Sequence, residues 1–403
     1  MPDQSESGAS QQVKNALPTG DQTTHVVPSG DDISHKAEAS QASRKPKSAR
    51  HSRPRRRRRR KKQPIYAALD LGTNNCRLLV ARPQGERFRV IDSYSKVVRL
   101  GQGLARTGRI SETSIESAID ALKTSARKMA ERNVTRWRCV ATQATRQAEN
   151  GDEFLRRVKD ETGVSLEVIS PRVEARLSVM GCLNLIDTQK DVVLVVDIGG
   201  GSTEISWVDV RKLREQGEVK RVHRPPISAW ASLPVGVVTL SEQFPERPDR
   251  ETWFQDMKDV VRGHIRDCGA ETRFANVFNA GQGHIIGTSG TITSLAGIHL
   301  GLPYYQRDKV DGLWMPQKTA VDIARDMALR DPEARAAVPS IGKDRSQMLV
   351  AGCAIIDVLC ELWPCERLRV ADRGLREGIL MGLMGQSQKV QMSHNKAKGK
   401  ADE

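Results

Sequence analysis

The sequence predicts an α/β protein. Two observations carry that expectation: β-rich runs separated by apolar stretches of helical period, and a strand–turn–strand unit that occurs twice. With 403 residues the chain exceeds one core, and its length leads to an expectation of about two to three domains. The net charge of +15 comes from 64 Lys and Arg against 49 Asp and Glu. Mapped along the chain, residues 1–64 carry +9, residues 387–403 carry +2, and residues 65–386 carry only +4. Basicity therefore belongs mainly to the tail and does not mark the body as a nucleic-acid binder.

Residues 1–64 are Ser, Gln, Asp, Lys and Arg with almost no large apolar side chains. Such a segment cannot bury enough surface to offset its ordering entropy, so disorder is expected there and again over 387–403. Arg55 to Lys62 is a run of eight cations. It could tether RNA, DNA or polyphosphate, or be a solvated charge run with nonspecific attraction. No aromatic residue interrupts it for base stacking, which argues against sequence-specific recognition.

Order is expected from Ile65. Strands are expected at Ile65–Leu69, Arg77–Arg82, Phe88–Tyr94, Arg136–Ala141, Leu166–Ile169, Val192–Asp197, Thr203–Val208 and Ile285–Ile286. Helices are expected at Ser111–Asn133, Asp152–Thr162, Val173–Leu185, Trp253–Cys268, Thr291–Leu300, Pro316–Leu329, Lys343–Leu362 and Leu375–Met384. Ser111 and Asp152 are the expected N-caps of their helices. No apolar run is long enough to span a bilayer, and the N-terminus lacks a signal-peptide core. The seven cysteines include no CxxC pair and mostly sit in apolar runs, so buried thiols in a reducing cytoplasm are expected.

Residues 66–80, YAALDLGTNNCRLLV, and 193–207, VLVVDIGGGSTEISW, share one pattern. Each is a β-rich run, then Asp, an aliphatic residue, Gly, small polar residues and a second β-rich run. The offset from Asp70 to Asp197 is 127 residues, the spacing of a domain. A carboxylate at a strand end can hold a metal ion or orient a water. Gly72, Gly199, Gly200 and Gly201 permit close backbone approach, so consecutive N–H groups can cradle an anion. Thr73, Asn74, Asn75, Ser202 and Thr203 add side-chain donors. A single such turn reads more simply as a tight hairpin; two at this spacing favour paired phosphate loops. A third turn, Ser289-Gly290-Thr291, enters a helix, whose free N–H groups attract anions. No GK[ST] follows, so it is not a Walker loop.

Together, DLGTNN, DIGGGSTE, GTSGTI and ADRGLREGIL resemble the exopolyphosphatase/guanosine pentaphosphate phosphatase family, within the acetate/sugar kinase–Hsc70–actin superfamily. The resemblance covers residues 65–385. It implies two ribonuclease H-like, actin-like ATPase domains with a cleft between them. The expected division is 65–188, with 375–386 packed back on it, and 189–374. The implied chemistry is Mg²⁺-assisted hydrolysis of a terminal phosphoanhydride, in polyphosphate or pppGpp. Glu174, in SPRVEAR, matches the catalytic glutamate, although Val173 stands where the family has Glu or Gln. Glu204 matches the second acidic residue, Asp197 the metal-associated one, and Asp70 opens the first loop. Asn75 replaces a frequent Ser. Arg146 matches a basic residue that would bind phosphate. Asp70, Asp197 and Glu204 could then hold Mg²⁺, and Glu174 could orient or deprotonate water. Arg146 could instead pair with Glu149.

Arg376 and Glu377 read as structural, His284 and His299 as core or surface histidines, and Lys343 and Arg345 as cleft candidates. The chain resembles the family's short form, and dimers are common in the family, so the resemblance allows a homodimer. Three functions compete: an exopolyphosphatase, a non-catalytic polyphosphate or alarmone sensor tethered by its tail, and a kinase. No sugar-binding signature supports the kinase.

Overall fold

The computed structural model describes residues 63–85, 87–215, 225–341 and 343–385, without the side chains of 343, 344, 345 and 347. The expected tail over 1–64, apart from residues 63 and 64, and the expected tail over 387–403 lie outside the described residues. So do the side chains of Lys343 and Arg345.

Two mixed sheets organise the body. The first contains β1 (Tyr66–Leu71), β2 (Asn75–Gln84), β3 (Arg87–Val97), β4 (Arg136–Ala141) and β5 (Glu167–Val168). Their spatial order is β3-β2-β1-β4-β5. The first three strands form an antiparallel meander, and β4 and β5 run parallel to β1. The second contains β6 (Val192–Ile198), β7 (Thr203–Asp209), β8 (Ile227–Leu233), β9 (Gly283–Thr288), β10 (Trp314–Pro316) and β11 (Arg367–Ala371). Its order is β10-β11-β9-β6-β7-β8. Without the edge strand β10, it repeats the first sheet: a meander, then two strands parallel to its first member. These are two ribonuclease H-like lobes, and the repeat seen in the sequence is a repeat of topology.

The helices used below are α1 (Glu112–Glu131), α2 (Gln143–Gln147), α3 (Gly151–Thr162), α4 (Pro171–Cys182), α5 (Val237–Gln243), α6 (Arg250–Asp267), α7 (Gly290–His299), α8 (Gln317–Leu329), α9 (Lys343–Leu362) and α10 (375–385). In α1, Ile115, Ile119 and Leu122 recur at helical spacing and are buried against β1 and β2 residues such as Leu69 and Leu78. Ser111 caps it by accepting from Ser114 N–H, as the sequence predicts. The second lobe packs α6, α8 and α9 around Trp207, which meets Trp363 edge to face with ring centroids 5.4 Å apart. A separate core joins α4 and α10 to the first sheet: Leu177, Ile379 and Leu380 lie with Tyr66, Ala68 and Leu79.

Several expectations need correction. Asp152 is not an N-cap; α3 begins at Gly151, and Asn150 precedes it. The Asn150 carboxamide instead exchanges two hydrogen bonds with the backbone of Ile110, at 2.9 and 3.0 Å. Helix α4 begins two residues early because Pro171 suits the first helical turn. It ends at Cys182 in a 3₁₀ turn, Leu183–Leu185. Strands β8, β10 and β11 were not expected. Cationic Arg367 and Arg369 hide the alternation of β11, serines and alanines dilute that of β8, and β10 is only three residues long. The seven thiols are free, but Cys268 is exposed and Cys365 half-buried, so not all are core residues.

Candidate active site

Each lobe presents the same turn at the end of its first strand. In the first, Gly72 N–H donates to the Asn75 carbonyl at 2.9 Å; in the second, Gly199 N–H donates to the Ser202 carbonyl at 2.9 Å. The turns meet. A Cβ on Gly200 would lie 2.9 Å from Thr73 Cβ, so the missing side chain permits this approach. Asp70 and Asp197 both line one cavity of about 110 Å³, with Gly72, Thr73, Asn74 and Asn75 on one side and Gly199, Gly200, Gly201 and Ser202 on the other.

Helix α4 brings Glu174 to the same cavity. Ser170 caps the helix, Pro171 starts it and Glu174 stands in its first turn. One turn on, the Ser178 hydroxyl donates to the Asp197 carboxylate. Glu204, on β7 opposite Asp197 on β6, completes the acidic wall and accepts from the Ser232 hydroxyl at 2.8 Å.

Four carboxyl groups thus share little solvent. Burial, then repulsion from Glu204, Asp197 and Asp70, pushes Glu174 up to about 9. Burial and Asp197 push Glu204 up to about 7. Burial raises Asp70 to about 6 against the pull of Arg77 and Arg376, and burial raises Asp197 despite its bond from Ser178.

Ser289 lines this cavity at the end of β9, with φ 85° and ψ −176°, a backbone region that non-glycine residues rarely occupy. Gly290 and Thr291, at the start of α7, line an adjoining cavity instead. Two expected donors are elsewhere. Thr203 turns inward and donates to the Val235 carbonyl at 2.7 Å. Arg146 does not line the cavity: its guanidinium donates to the Ile169 carbonyl at 2.6 Å and stands 3.6 Å from Glu174 Oε2. It supports Glu174 from behind, while Glu149 pairs with Arg109.

Arg77, Arg373 and Arg376 line the cavity and were not expected there. Arg77 was findable, because it holds the place in the first repeat that Glu204 holds in the second: Asp70 pairs with Arg77 as Asp197 pairs with Glu204. Arg376 reaches the site only because the chain end folds back. Its neighbour Glu377 is structural, accepting from Gly374 N–H at 2.9 Å and from Arg307 at 3.0 Å. His284 is buried and held neutral, lowered to about 4 by burial, and accepts from Asp187 N–H through Nε2. His299 is exposed at the end of α7.

Among the described residues no group of three or more His, Cys, Asp or Glu side chains is arranged to hold a metal ion. Asp70, Asp197 and Glu204 therefore do not form a closed cage. The chemistry still fits a hard divalent cation that keeps waters and shares substrate oxygens. The carboxylates are crowded, and Glu174 Oε2 is buried without a hydrogen-bond partner. No described helix is long and apolar enough to cross a membrane.

Comparison with known proteins places the chain by family and fold. Residues 79–387 match the profile of the Ppx/GppA phosphatase family. The crystal structure of the Aquifex aeolicus member of that family is 28% identical, superposes with a TM-score of 0.64, and aligns over 80% of this chain and 98% of its own. An exopolyphosphatase-like protein is 26% identical with a TM-score of 0.69, over 80% of this chain and 99% of its own. An exopolyphosphatase from Cytophaga hutchinsonii is 23% identical with a TM-score of 0.68 over 79% of this chain and 97% of its own, a likeness of fold.

Proposed function

The chain belongs to the Ppx/GppA phosphatase family, and from that footing we propose that it is a divalent-metal-dependent exopolyphosphatase. It would release orthophosphate from the end of inorganic polyphosphate and, by the same chemistry, the terminal phosphate of pppGpp. The observation that carries this reading is the meeting of two phosphate loops and four carboxyl groups in one cavity.

The loops bind the terminal phosphates through backbone N–H groups, and Arg77 and Arg376 offset the substrate's charge. Asp70, Asp197 and Glu204 would hold the cation, which when bound would neutralise charge on the phosphate oxygens. Glu174 orients the attacking water and takes its proton. Arg146, behind it, favours the ionised form of Glu174 that the base requires. Phosphoryl transfer asks mainly for positioning and charge balance, which this wall supplies.

The test is phosphate release from long polyphosphate, short polyphosphate, pppGpp and ATP with Mg²⁺. Release from polyphosphate is expected, and Glu174→Gln should lower it by about a hundredfold or more while the protein stays folded. Tight binding with no release across divalent metals would instead establish a sensor. ADP formation dependent on an acceptor would establish a kinase.

A further inference from the structure

Besides a cavity of about 650 Å³ that meets it only at Asn74, the active-site cavity has two neighbours. The first, of about 370 Å³, shares Asn74, Asn75, Arg77, Gly199, Gly200 and Ser289 with it, so the two are continuous. The second, of about 930 Å³, shares no lining residue with it and lies between the 102–108 and 234–243 segments. One side chain divides this rear cavity from the active site. Gln143 lines the rear cavity, yet its Oε1 accepts from Thr73 Oγ1 at 3.0 Å. It also abuts Gly201: a Cβ there would lie 1.9 Å from Gln143 Oε1. Thr73 and Gly201 both line the active site. The partition is therefore one carboxamide thick. Two hydrogen bonds between uncharged groups hold it, the second from Gln143 Nε2 to Gln147 Oε1 at the rear.

A chain substrate makes this arrangement consequential. A chain with its end at Glu174 would leave the active site past Asn74, Asn75 and Arg77, which the front cavity shares with it. The orthophosphate just cut off then lies between the chain and the inner wall. Leaving by the front would require the chain to dissociate first. We propose that Gln143 is a movable partition and that the rear cavity is the exit for orthophosphate, so that successive units are cut without release of the chain. This rests on the exopolyphosphatase reading above. The lining suits passage rather than storage: apart from Arg106 and Glu242 its side chains carry no charge, and Glu242 already accepts from Gly103 N–H at 2.9 Å.

Gln102 and Gln243 both line the rear cavity and are exposed, so both tolerate large side chains. The experiment combines Gln102→Trp with Gln243→Trp and follows long polyphosphate in single-turnover and steady-state modes, with melting temperature as the folding control. The expected result is a first turnover within about twofold of wild type, an unchanged KM for the chain and steady-state release at least tenfold slower. Chains should also dissociate after fewer cuts. Alanine at both positions should behave as wild type. Gln143→Ala, which opens the partition, should leave the first turnover within about twofold of wild type and should not slow steady-state release; slower steady-state release would overturn the partition. Wild-type steady-state rates in the double tryptophan variant overturn the exit, whatever Gln143→Ala does. Loss of the first turnover overturns it too, by showing that these positions serve the chemistry. A wild-type protein that releases no phosphate removes the enzyme reading itself, and this exit with it.

Discussion

Glu174 and Glu204 are ionisable groups held where ionisation is unfavourable, and this has a sign. The folded protein raises Glu204 to about 7 and Glu174 to about 9, from an ordinary value of 4.5. A carboxyl raised on folding binds its proton more tightly in the folded state. Its contribution to stability is complete below pH 4.5 and is lost as pH rises through the folded value. The metal-free protein should therefore melt lower at pH 8 than the same protein with Glu204→Gln. The gain is expected to be on the order of 1 kcal/mol or more, about 2–4 °C, and to vanish near pH 4.5. Mg²⁺ should narrow the difference at pH 8, since it relieves the same repulsion. Melting curves in EDTA and in Mg²⁺ at the two pH values decide it; a variant that melts lower than wild type at pH 8 in EDTA refutes the account. The same crowding would explain why the site needs Arg77, Arg146 and Arg376 around it.

Helices α4 and α10 carry this geometry between the lobes, and they touch backbone to backbone. A Cβ on Gly378 would lie 2.0 Å from the Leu177 carbonyl oxygen, and one on Gly181 would lie 2.0 Å from the Gly374 carbonyl oxygen. Neither neighbour is a flexible side-chain end, so the helices would have to part. Gly378→Ala is expected to cost about 1–3 kcal/mol and to lower activity by displacing Glu174 and Ser178 on α4. Gly382, on the same helix, has nothing within 4 Å of an added Cβ. Gly382→Ala should be neutral or stabilise by up to about 1 kcal/mol. Thermal melts of the pair separate crowding from helix propensity. This contact was not legible in the sequence, because it depends on which helices cross. The repeated units were legible, since apolar strand patterning and glycine turns are local. So was the Ser111 cap. Strand β11, with Arg367 and Arg369 alternating against Leu368 and Val370, hid its register behind cationic side chains. Thr203 read as a donor because a sequence shows residue type and not which face of β7 it occupies.

At the scale of the whole chain, charge is divided unevenly, and the division bears on how a polyanion arrives. Residues 65–386 carry +4, and their phosphate cavity is lined by six carboxyl groups against three arginines, so the body itself offers little long-range attraction. Residues 1–64 carry +9, with the eight cations Arg55 to Lys62 ending three residues before Ile65. We propose that this segment keeps long polyanions near the cleft without taking part in hydrolysis. Deleting residues 1–62 should leave the melting temperature and the rate on tripolyphosphate unchanged. It should raise KM for long chains at low salt, and the difference should fade as ionic strength rises. If all eight cations contact phosphates, the slope of log affinity against log salt should shrink by about 6 on deletion, by analogy with about 0.7 per phosphate on single strands. Binding of long polyphosphate at low and high salt, with and without the segment, measures this slope directly. Equal affinities at low salt would show that the cations of the tail do not hold the substrate. Retention would then have to come from the cavity itself and the arginines that line it, Arg77, Arg373 and Arg376.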